Sequence, residues 1–344
     1  MGIERVSIKG NNNESMILIG ESIDNLTYYT KSNQVFIITD NNVDNLYGHR
    51  FPNFPKFILQ AGEGSKNITS LTKIYRWLLE SGADRNSFVV GIGGGVVCDI
   101  AGFVASTFMR GISFGYVATT LLAQVDACIG GKNGVDLDGY KNIIGTFNLP
   151  NFVICDISML KTLSKTELSN GYAEMIKHCL IASFSDLLFM EQNIKQLTEC
   201  DIDIIAPLLA NSIKIKVNIV KSDEKETGLR KTLNLGHTWG HAVEKITNLP
   251  HGQSVSLGLE FAARLSLKRK LITHKDYMGL VNLLRSFNLP VCYNLNATEV
   301  FEALTKDKKK NGETIDFIFL KGLGNVIIDK IDIDDIKNFV LGIK

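Results

Sequence analysis

Residues 88–108 read F-V-V-G-I-G-G-G-V-V-C-D-I-A-G-F-V-A-S-T-F, and how this stretch divides decides the fold. It is long and apolar enough to span a bilayer, but Asp99 sits in its middle and Gly93, Gly94 and Gly95 interrupt it. A carboxylate at mid-bilayer is costly and consecutive glycines break a helix, so the stretch reads as a buried strand (Phe88 to Ile92), a tight turn and a buried helix (Val96 to Phe108). A helix entered through glycines presents unpaired backbone N–H groups at its positive end, where a diphosphate can approach closely. Gly91 to Asp99 is therefore a nucleotide-binding candidate. Its spacing is not the G-x-G-x-x-G of the common dinucleotide fold, and a structural turn explains the glycine triplet about as well when it is taken alone.

Working outward, strands and helices alternate. Val35 to Thr39 is a β-branched and aromatic run ending at Asp40, and Asn67 to Glu80 has Leu71, Ile74, Leu78 and Leu79 spaced for one helical face. Ser113 to Ala118 and Phe152 to Cys155 supply further strands, and strands separated by helices imply right-handed crossovers in a largely parallel sheet. Asp40 and the turn Gly62-Glu-Gly-Ser-Lys66 place polar groups where strand ends converge, which strengthens the cofactor reading. Near residue 160 the pattern changes. Ser164-Lys-Thr-Glu167 has capping-box spacing, and helical periods run to about residue 286. Thr314 to Leu320 and Asn325 to Ile331 read as a late β-hairpin. The expected division is residues 1–160 and residues 161–344, with no internal repeat or low-complexity tract. The charge run Lys306 to Lys310 reads as a solvated turn.

The 344-residue chain is 45% apolar, enough for a full core and favouring two domains. Its formal charge is +1, so no global field recruits nucleic acid or an anionic membrane. Six cysteines without a C-x-x-C pair fit reduced thiols in a cytoplasm. The first residues carry charge at once and lack an apolar signal core, and Val6 misses the myristoylation pattern, so a cytoplasmic location is expected.

Three of the six histidines fall within fifteen residues: His237, His241 and His251. On a helix spanning Thr232 to Glu244, Asn234, His237 and His241 form one polar stripe, and a third imidazole with a carboxylate completes a divalent-metal site. The H-x-x-x-H lacks the adjacent glutamate of metalloproteases, which disfavours peptide hydrolysis. Glu174 and Lys177 share a helical face, for which a surface i, i+3 ion pair is the plain explanation. Asp126, in an apolar helix starting near Ala118, needs a partner, while Lys132 and the Lys141-Asn142 pair lie in glycine-rich chain suited to a phosphate or carboxylate, or simply to solvent.

The ordered series G-G-G-V-x-x-D-x-A-G-F, R-G, T-T-L-L-A-Q-V-D, G-G-K, K-N-x-I-G, A-E-x-I-K, G-L-R, L-N-x-G-H-T-x-G-H-A and D-K-K runs over nearly the whole chain and resembles the 3-dehydroquinate synthases of the sugar phosphate cyclase superfamily. The resemblance implies a Rossmann-like N-terminal domain, a mostly helical C-terminal domain carrying the small hairpin, an active site in the cleft between them, and a homodimer in which Arg110 reaches the neighbour's phosphate site. It assigns Glu174, His237 and His251 to a metal, Zn2+ or Co2+, and makes His241 a substrate and proton-transfer contact. Asp126, Lys132, Asn142, Lys177, Lys216, Arg230, Asn234 and one of Lys308 or Lys309 become substrate contacts. NAD+ is assigned to Asp40, Glu63, Lys66, Gly94, Gly95, Val96, Asp99, Thr119, Thr120, Lys132, Lys141, Thr162 and Glu167.

The implied reaction turns 3-deoxy-D-arabino-heptulosonate 7-phosphate into 3-dehydroquinate and phosphate by transient oxidation, elimination, reduction and intramolecular aldol closure, with no net redox change. Ala118, Cys128, Asn133 and the pair His178-Cys179 depart from the family's usual residues. They leave room for a cyclase making 2-deoxy-scyllo-inosose or a valiolone-type product, and more remotely for a metal-dependent polyol dehydrogenase. Lys216, Arg230 and Asn234 argue for a carboxylate substrate, since cyclitol precursors have no such group.

Overall fold

A computed structural model describes residues 2–10, 13–294, 296–308 and 314–341 of the chain. It divides into two compact units, Met1–Leu163 with Ile205–Lys225, and Ser164–Ile204 with Glu226–Lys344. Among the described residues, no helix is long and apolar enough to cross a membrane.

The first unit is built on strands β1 (Glu4–Lys9), β2 (Glu14–Ile19), β3 (Val35–Asp40), β4 (Lys56–Leu59), β5 (Phe88–Gly93), β6 (Ser113–Ala118), β7 (Lys132–Leu137), β8 (Tyr140–Phe147) and β9 (Phe152–Cys155). Seven of them form one sheet in the order β1-β2-β9-β6-β5-β3-β4, parallel throughout except for the antiparallel edge strand β1. Every residue of β3, β5 and β9 is buried, as expected of strands covered on both faces. Phe88 and Phe152 stack across the sheet with centroids 5.8 Å apart.

Helices α1 (Asn41–Tyr47), α2 (Ile68–Glu80) and α3 (Gly95–Thr107) complete this part. The α2 helix shows how local sequence sets an element. Asn67 caps it by accepting from Ser70 N, and Leu71, Ile74 and Leu78 line its buried face. It stops at Ser81-Gly82, where Gly82 takes a φ of +75° that favours glycine. Each such leucine or isoleucine contributes about 1.5–3 kcal/mol by leaving water. Strand order reverses between β3 and β5: the chain continues from β3 to one side and from β5 to the other, so Asp40 and Gly93 stand at adjacent strand ends that flank a crevice.

The remaining helices are α4 (Lys165–Ala182), α5 (Phe184–Gln192), α6 (Ile194–Thr198), α7 (Ile202–Ser222), α8 (His237–Thr247), α9 (His251–Lys268), α10 (His274–Ser286), α11 (Ala297–Lys308) and α12 (Ile333–Leu341), with a hairpin of β10 (Thr314–Leu320) and β11 (Val326–Asp332). The expected hairpin is therefore present. The division expected at residue 160 differs in one segment: most of α7 and the residues just after it, Ile205–Lys225, belong to the first unit, where Lys214 pairs with Glu4 at 2.6 Å. A helical repeat shows that one face is apolar, not which body covers it.

In the second unit α4 is buried continuously from Leu168 to Ile181, and α8 lies close against α9. A Cβ on Gly258 would stand 1.8 Å from the carbonyl oxygen of Gly236, and one on Gly252 would stand 2.4 Å from the Cα of Asn170. These contacts bring three helices together at backbone distance. Trp239 stacks on Phe261 with centroids 4.2 Å apart and closes the same packing from the side.

Candidate active site

The glycine turn of the first unit joins β5 to α3. Gly94 occupies the N-cap of α3 with no side-chain hydrogen bond, so the helix start is left to backbone N–H groups. A Cβ on Gly94 would stand 3.1 Å from Thr120 Cγ2, and one on Gly95 would stand 3.1 Å from Ala127 Cβ, so the turn lies in a narrow cradle. Thr119, just beyond β6, is buried and its Oγ1 has no hydrogen-bond partner among the described residues. Val96 continues the first turn of α3, and Asp99 in the next turn pairs with buried Lys66 at 2.5 Å. Burial raises the Asp99 carboxyl above its usual range, with the Lys66 ammonium opposing that rise. At the neighbouring strand end, Asp40 caps α1, its Oδ1 accepting from Asn42 N and Val43 N. These features fit a dinucleotide: a helix start open to anions, a polar atom awaiting a donor or acceptor, and a carboxylate at the switch point.

The other first-unit residues lie on two supports. Asp126 is in a short π-helical turn, Ala123–Ala127, and accepts from Lys216 Nζ of α7 at 2.6 Å. The apolar helix expected after Ala118 is short, running from Leu121 to Ala127 and ending in this π-helical stretch, and the glycine-rich chain beyond it is the antiparallel β7–β8 hairpin rather than a loop. Backbone pairing of Gly134 with Gly145 explains why glycines are tolerated there. Lys132 opens the hairpin, and Lys141 lies 3.9 Å from Glu63. Asn142 adopts a φ of +52° and donates its N–H to Asp136 Oδ1 at 2.7 Å. Thr162 hydrogen-bonds the Tyr47 hydroxyl at 2.6 Å, and Arg110 is exposed at a φ of +72°.

In the second unit, three elements converge on one carboxylate. Glu174 of α4 is fully buried, and its Oε1 is 3.6 Å from Nε2 of His237 and 3.6 Å from Nε2 of His251. The three ligand atoms all lie within 4.8 Å of one another. Ligands held about 2.0–2.1 Å from a tetrahedral zinc stand about 3.3–3.4 Å apart, so one carboxylate and two imidazoles at this spacing suit a divalent cation. His237 begins α8 and His251 begins α9, both helices aimed by the close packing around Gly236 and Gly258. His237 is held far below the usual imidazole range by burial and by the Lys177 ammonium, and stays neutral. Burial pulls His251 down too, but the carboxylates of Glu174 and Glu244 outweigh it and push it up to about 9.

Lys177 pairs with the second oxygen of Glu174 in the expected i, i+3 ion pair. The pair is buried, not on the surface, with 2% and 0% side-chain exposure. The polar stripe expected along one helix is also interrupted: Leu229–Asn234 is a 3-10 turn, and Gly236 breaks the chain at a φ of +78° before α8 begins. His237 and His241 do share a face of α8, but Asn234 lies in the 3-10 turn and donates to Glu226. Arg230 of that turn is 2% exposed and His241 is exposed. Glu167 lies in the first turn of α4, its N–H donating to Ser164 Oγ at 3.2 Å. Lys308 ends α11, and Lys309 lies outside the described residues, so the charge run of 306–310 is helical as far as it is described.

The N-terminal model of the 3-dehydroquinate synthases matches residues 56–170 and the C-terminal model matches residues 171–310. The chain belongs to the 3-dehydroquinate synthase family. It is 39% identical over 320 residues to the 3-dehydroquinate synthase of Thermoanaerobacter pseudethanolicus (strain ATCC 33223 / 39E), covering 90% of each chain, and 37% identical over 323 residues to that of Bacillus pumilus (strain SAFR-032), covering 91% of this chain and 88% of the relative. Among solved structures, a 2-deoxy-scyllo-inosose synthase complexed with carbaglucose-6-phosphate, NAD+ and Co2+ superposes with a TM-score of 0.87 at 23% identity, over 98% of this chain and 99% of the other. ValA, the 2-epi-5-epi-valiolone synthase from Streptomyces hygroscopicus subsp. jinggangensis 5008 with NAD+ and Zn2+ bound, superposes with a TM-score of 0.88 at 22% identity, over 98% of each chain. A probable glycerol dehydrogenase from Sinorhizobium meliloti 1021 is more distant, with a TM-score of 0.65 at 15% identity, over 93% of each chain. These structures establish the fold: a Rossmann-like unit and a mostly helical one with a small hairpin.

The positions that depart from the family's usual residues are all buried. Ala118, Cys128 and Cys179 are buried. Asn133 is fully engaged: its Oδ1 accepts from the Tyr116 hydroxyl at 2.6 Å, and its Nδ2 donates to the Gly131 and Asn148 carbonyls. His178, buried one helical turn beyond Glu174, is the one closest to the metal candidates. A residue the sequence reading passed over is Glu244. It follows His237 by seven positions, two helical turns, and that spacing was visible beside the histidines.

Proposed function

We propose that the protein is a lyase that converts 3-deoxy-D-arabino-heptulosonate 7-phosphate into 3-dehydroquinate and phosphate, with NAD+ and one Zn2+ or Co2+. The observation that carries the metal half is the pair of imidazole Nε2 atoms, each 3.6 Å from the same buried Glu174 oxygen. When bound, NAD+ supplies a reversible hydride acceptor and the metal a Lewis acid that lowers the pKa of a substrate hydroxyl.

The chain's own residues supply charge and order. Glu174, His237 and His251 hold the metal, and Lys177 neutralises the remaining Glu174 oxygen in a water-poor site. Lys216, bridged to Asp126, keeps its ammonium in a fixed position for an anionic group, and Arg230, Asn234, Lys132 and Asn142 add donors to the substrate's carboxylate and phosphate ends. His241, exposed and 5.0 Å in ring separation from His237, stands outside the Glu174 set and is suited to move a proton. The open start of α3 receives the diphosphate, and Asp40, Glu63, Lys66 and Lys141 frame the rest of the dinucleotide. The same reading includes a homodimer in which Arg110, exposed and in left-handed backbone, serves the neighbouring site. A cytoplasmic location agrees with a biosynthetic enzyme.

Incubation with the heptulosonate phosphate, NAD+ and Zn2+ or Co2+ tests the reading. Phosphate is released without accumulation of NADH, chelation stops the release, and added metal restores it. Phosphate release indifferent to chelator, or net NADH production from a simple polyol, contradicts the proposal. Faster turnover of glucose 6-phosphate or sedoheptulose 7-phosphate points instead to a cyclitol-forming cyclase.

A further inference from the structure

We propose that Glu244 is a positioning residue for the metal, holding the outer nitrogen of His251 so that the inner nitrogen is aimed at the ion. The proposal rests on the metal-site reading above and adds a residue to it.

The argument comes from how the two imidazoles are turned. His251 has one nitrogen facing each of two carboxylates on different helices: Nε2 is 3.6 Å from Glu174 Oε1 of α4, and Nδ1 is 3.5 Å from Glu244 Oε2 of α8. His237 repeats the arrangement with a different acceptor, its Nδ1 lying 3.1 Å from the Leu235 carbonyl and its Nε2 3.6 Å from the same Glu174 oxygen. Each ring therefore has its Nδ1 against a protein acceptor and its Nε2 toward one common point. A neutral imidazole carries one N–H, and an acceptor at Nδ1 places it there, which leaves the Nε2 lone pair for a metal. For His237 the acceptor is backbone and no substitution removes it. For His251 it is a side chain, 6% exposed, placed on the same face of α8 as His237 by the seven-residue spacing.

Glu244 also lies within 4.8 Å of ligand atoms of His241 and His251, so it has a second conceivable role, as a ligand in a set of its own. That set would take His251 through Nδ1. Its third member, His241, is exposed, whereas Glu174 is fully buried and receives both Nε2 atoms. The desolvated set is the stronger cation site, and Glu244 then acts through His251.

The test uses the full chain, stripped of metal and titrated with Co2+ and Zn2+ against a competing chelator at one fixed pH. Glu244→Ala is expected to weaken metal binding about 10–100-fold, chiefly through faster release, and to alter the visible Co2+ bands that report ligand geometry. Glu244→Gln keeps an acceptor at the same reach and is expected to retain most of the affinity. NAD+ binding and far-ultraviolet circular dichroism stay at wild-type values in both. Affinity within about twofold of wild type in Glu244→Ala, with unchanged Co2+ bands, overturns the proposal. So does an equal loss in both variants accompanied by reduced helicity of the metal-free chain, which marks a structural role, or a wild-type stoichiometry of two that falls to one in Glu244→Ala, which marks a ligand. Wild-type protein that takes up no metal refutes the parent reading instead.

Discussion

If the proposed metal site is correct, His251 of the metal-free chain carries a proton that an incoming ion must displace. His251 is pushed up to about 9 from a reference of 6.5, while His237 is held below that reference and is already neutral. At pH 7 His251 is about two units below its midpoint, so about 100 chains carry the proton for each that does not. Only the neutral ring ligates, so metal uptake at pH 7 is expected to release about one proton and to be about 100-fold weaker than it would be without that competition. Apparent affinity then rises about tenfold per pH unit from 7 to 9 and levels off above. Calorimetric titration of stripped protein with Co2+, in buffers of different ionisation enthalpy at pH 7 and 8, measures both quantities. Uptake that releases no proton at pH 7, or affinity flat from pH 7 to 9, refutes the reasoning. Stability carries the same signature. Because the folded midpoint lies above the unfolded one, the stabilisation of the metal-free chain is fully present below about pH 6.5 and is lost as pH rises through about 9, to a limit of about 3 kcal/mol. Urea unfolding at pH 6 and 9.5 reads it directly, and metal-loaded protein is expected not to show the loss.

Four further outcomes are expected. Gly258→Ala drives a methyl group toward the Gly236 carbonyl, 1.8 Å away, and since backbone on both sides cannot yield, it costs about 3 kcal/mol or more in urea unfolding and lowers metal occupancy. Lys216→Met removes the ammonium bound at 2.6 Å to Asp126, costing about 1.5–3 kcal/mol of stability and lowering kcat/KM for the heptulosonate phosphate; unchanged kinetics remove Lys216 from the substrate set. His237→Ala abolishes metal-dependent turnover with little change in circular dichroism, whereas Arg230→Ala raises KM or lowers kcat for the carboxylate substrate, and activity of stripped His237→Ala equal to wild type contradicts the ligand assignment.

What was legible in the sequence was what a few neighbouring residues decide together. The strand, glycine turn and helix from Phe88 to Thr107, the Asn67-capped helix, the late hairpin and the pairing of Glu174 with Lys177 all follow from periodicity, capping or i, i+3 spacing. The ordered motifs carried the family, and with it the proposed ligand triad. Tertiary structure decided the rest. Only packing buries the Glu174–Lys177 pair, transfers Ile205–Lys225 to the first unit, and turns the glycine-rich chain after Asp126 into a hairpin. Gly236, at a φ its neighbours do not announce, separates Asn234 from the histidine stripe. Residues 174, 237 and 251 meet because α4, α8 and α9 approach at backbone distance through Gly236, Gly252 and Gly258. Helix propensity and turn chemistry act over one or two turns of chain, whereas the meeting of Glu174 with His237 and His251, more than sixty residues away, depends on which surfaces exclude water from one another, and no local pattern encodes that.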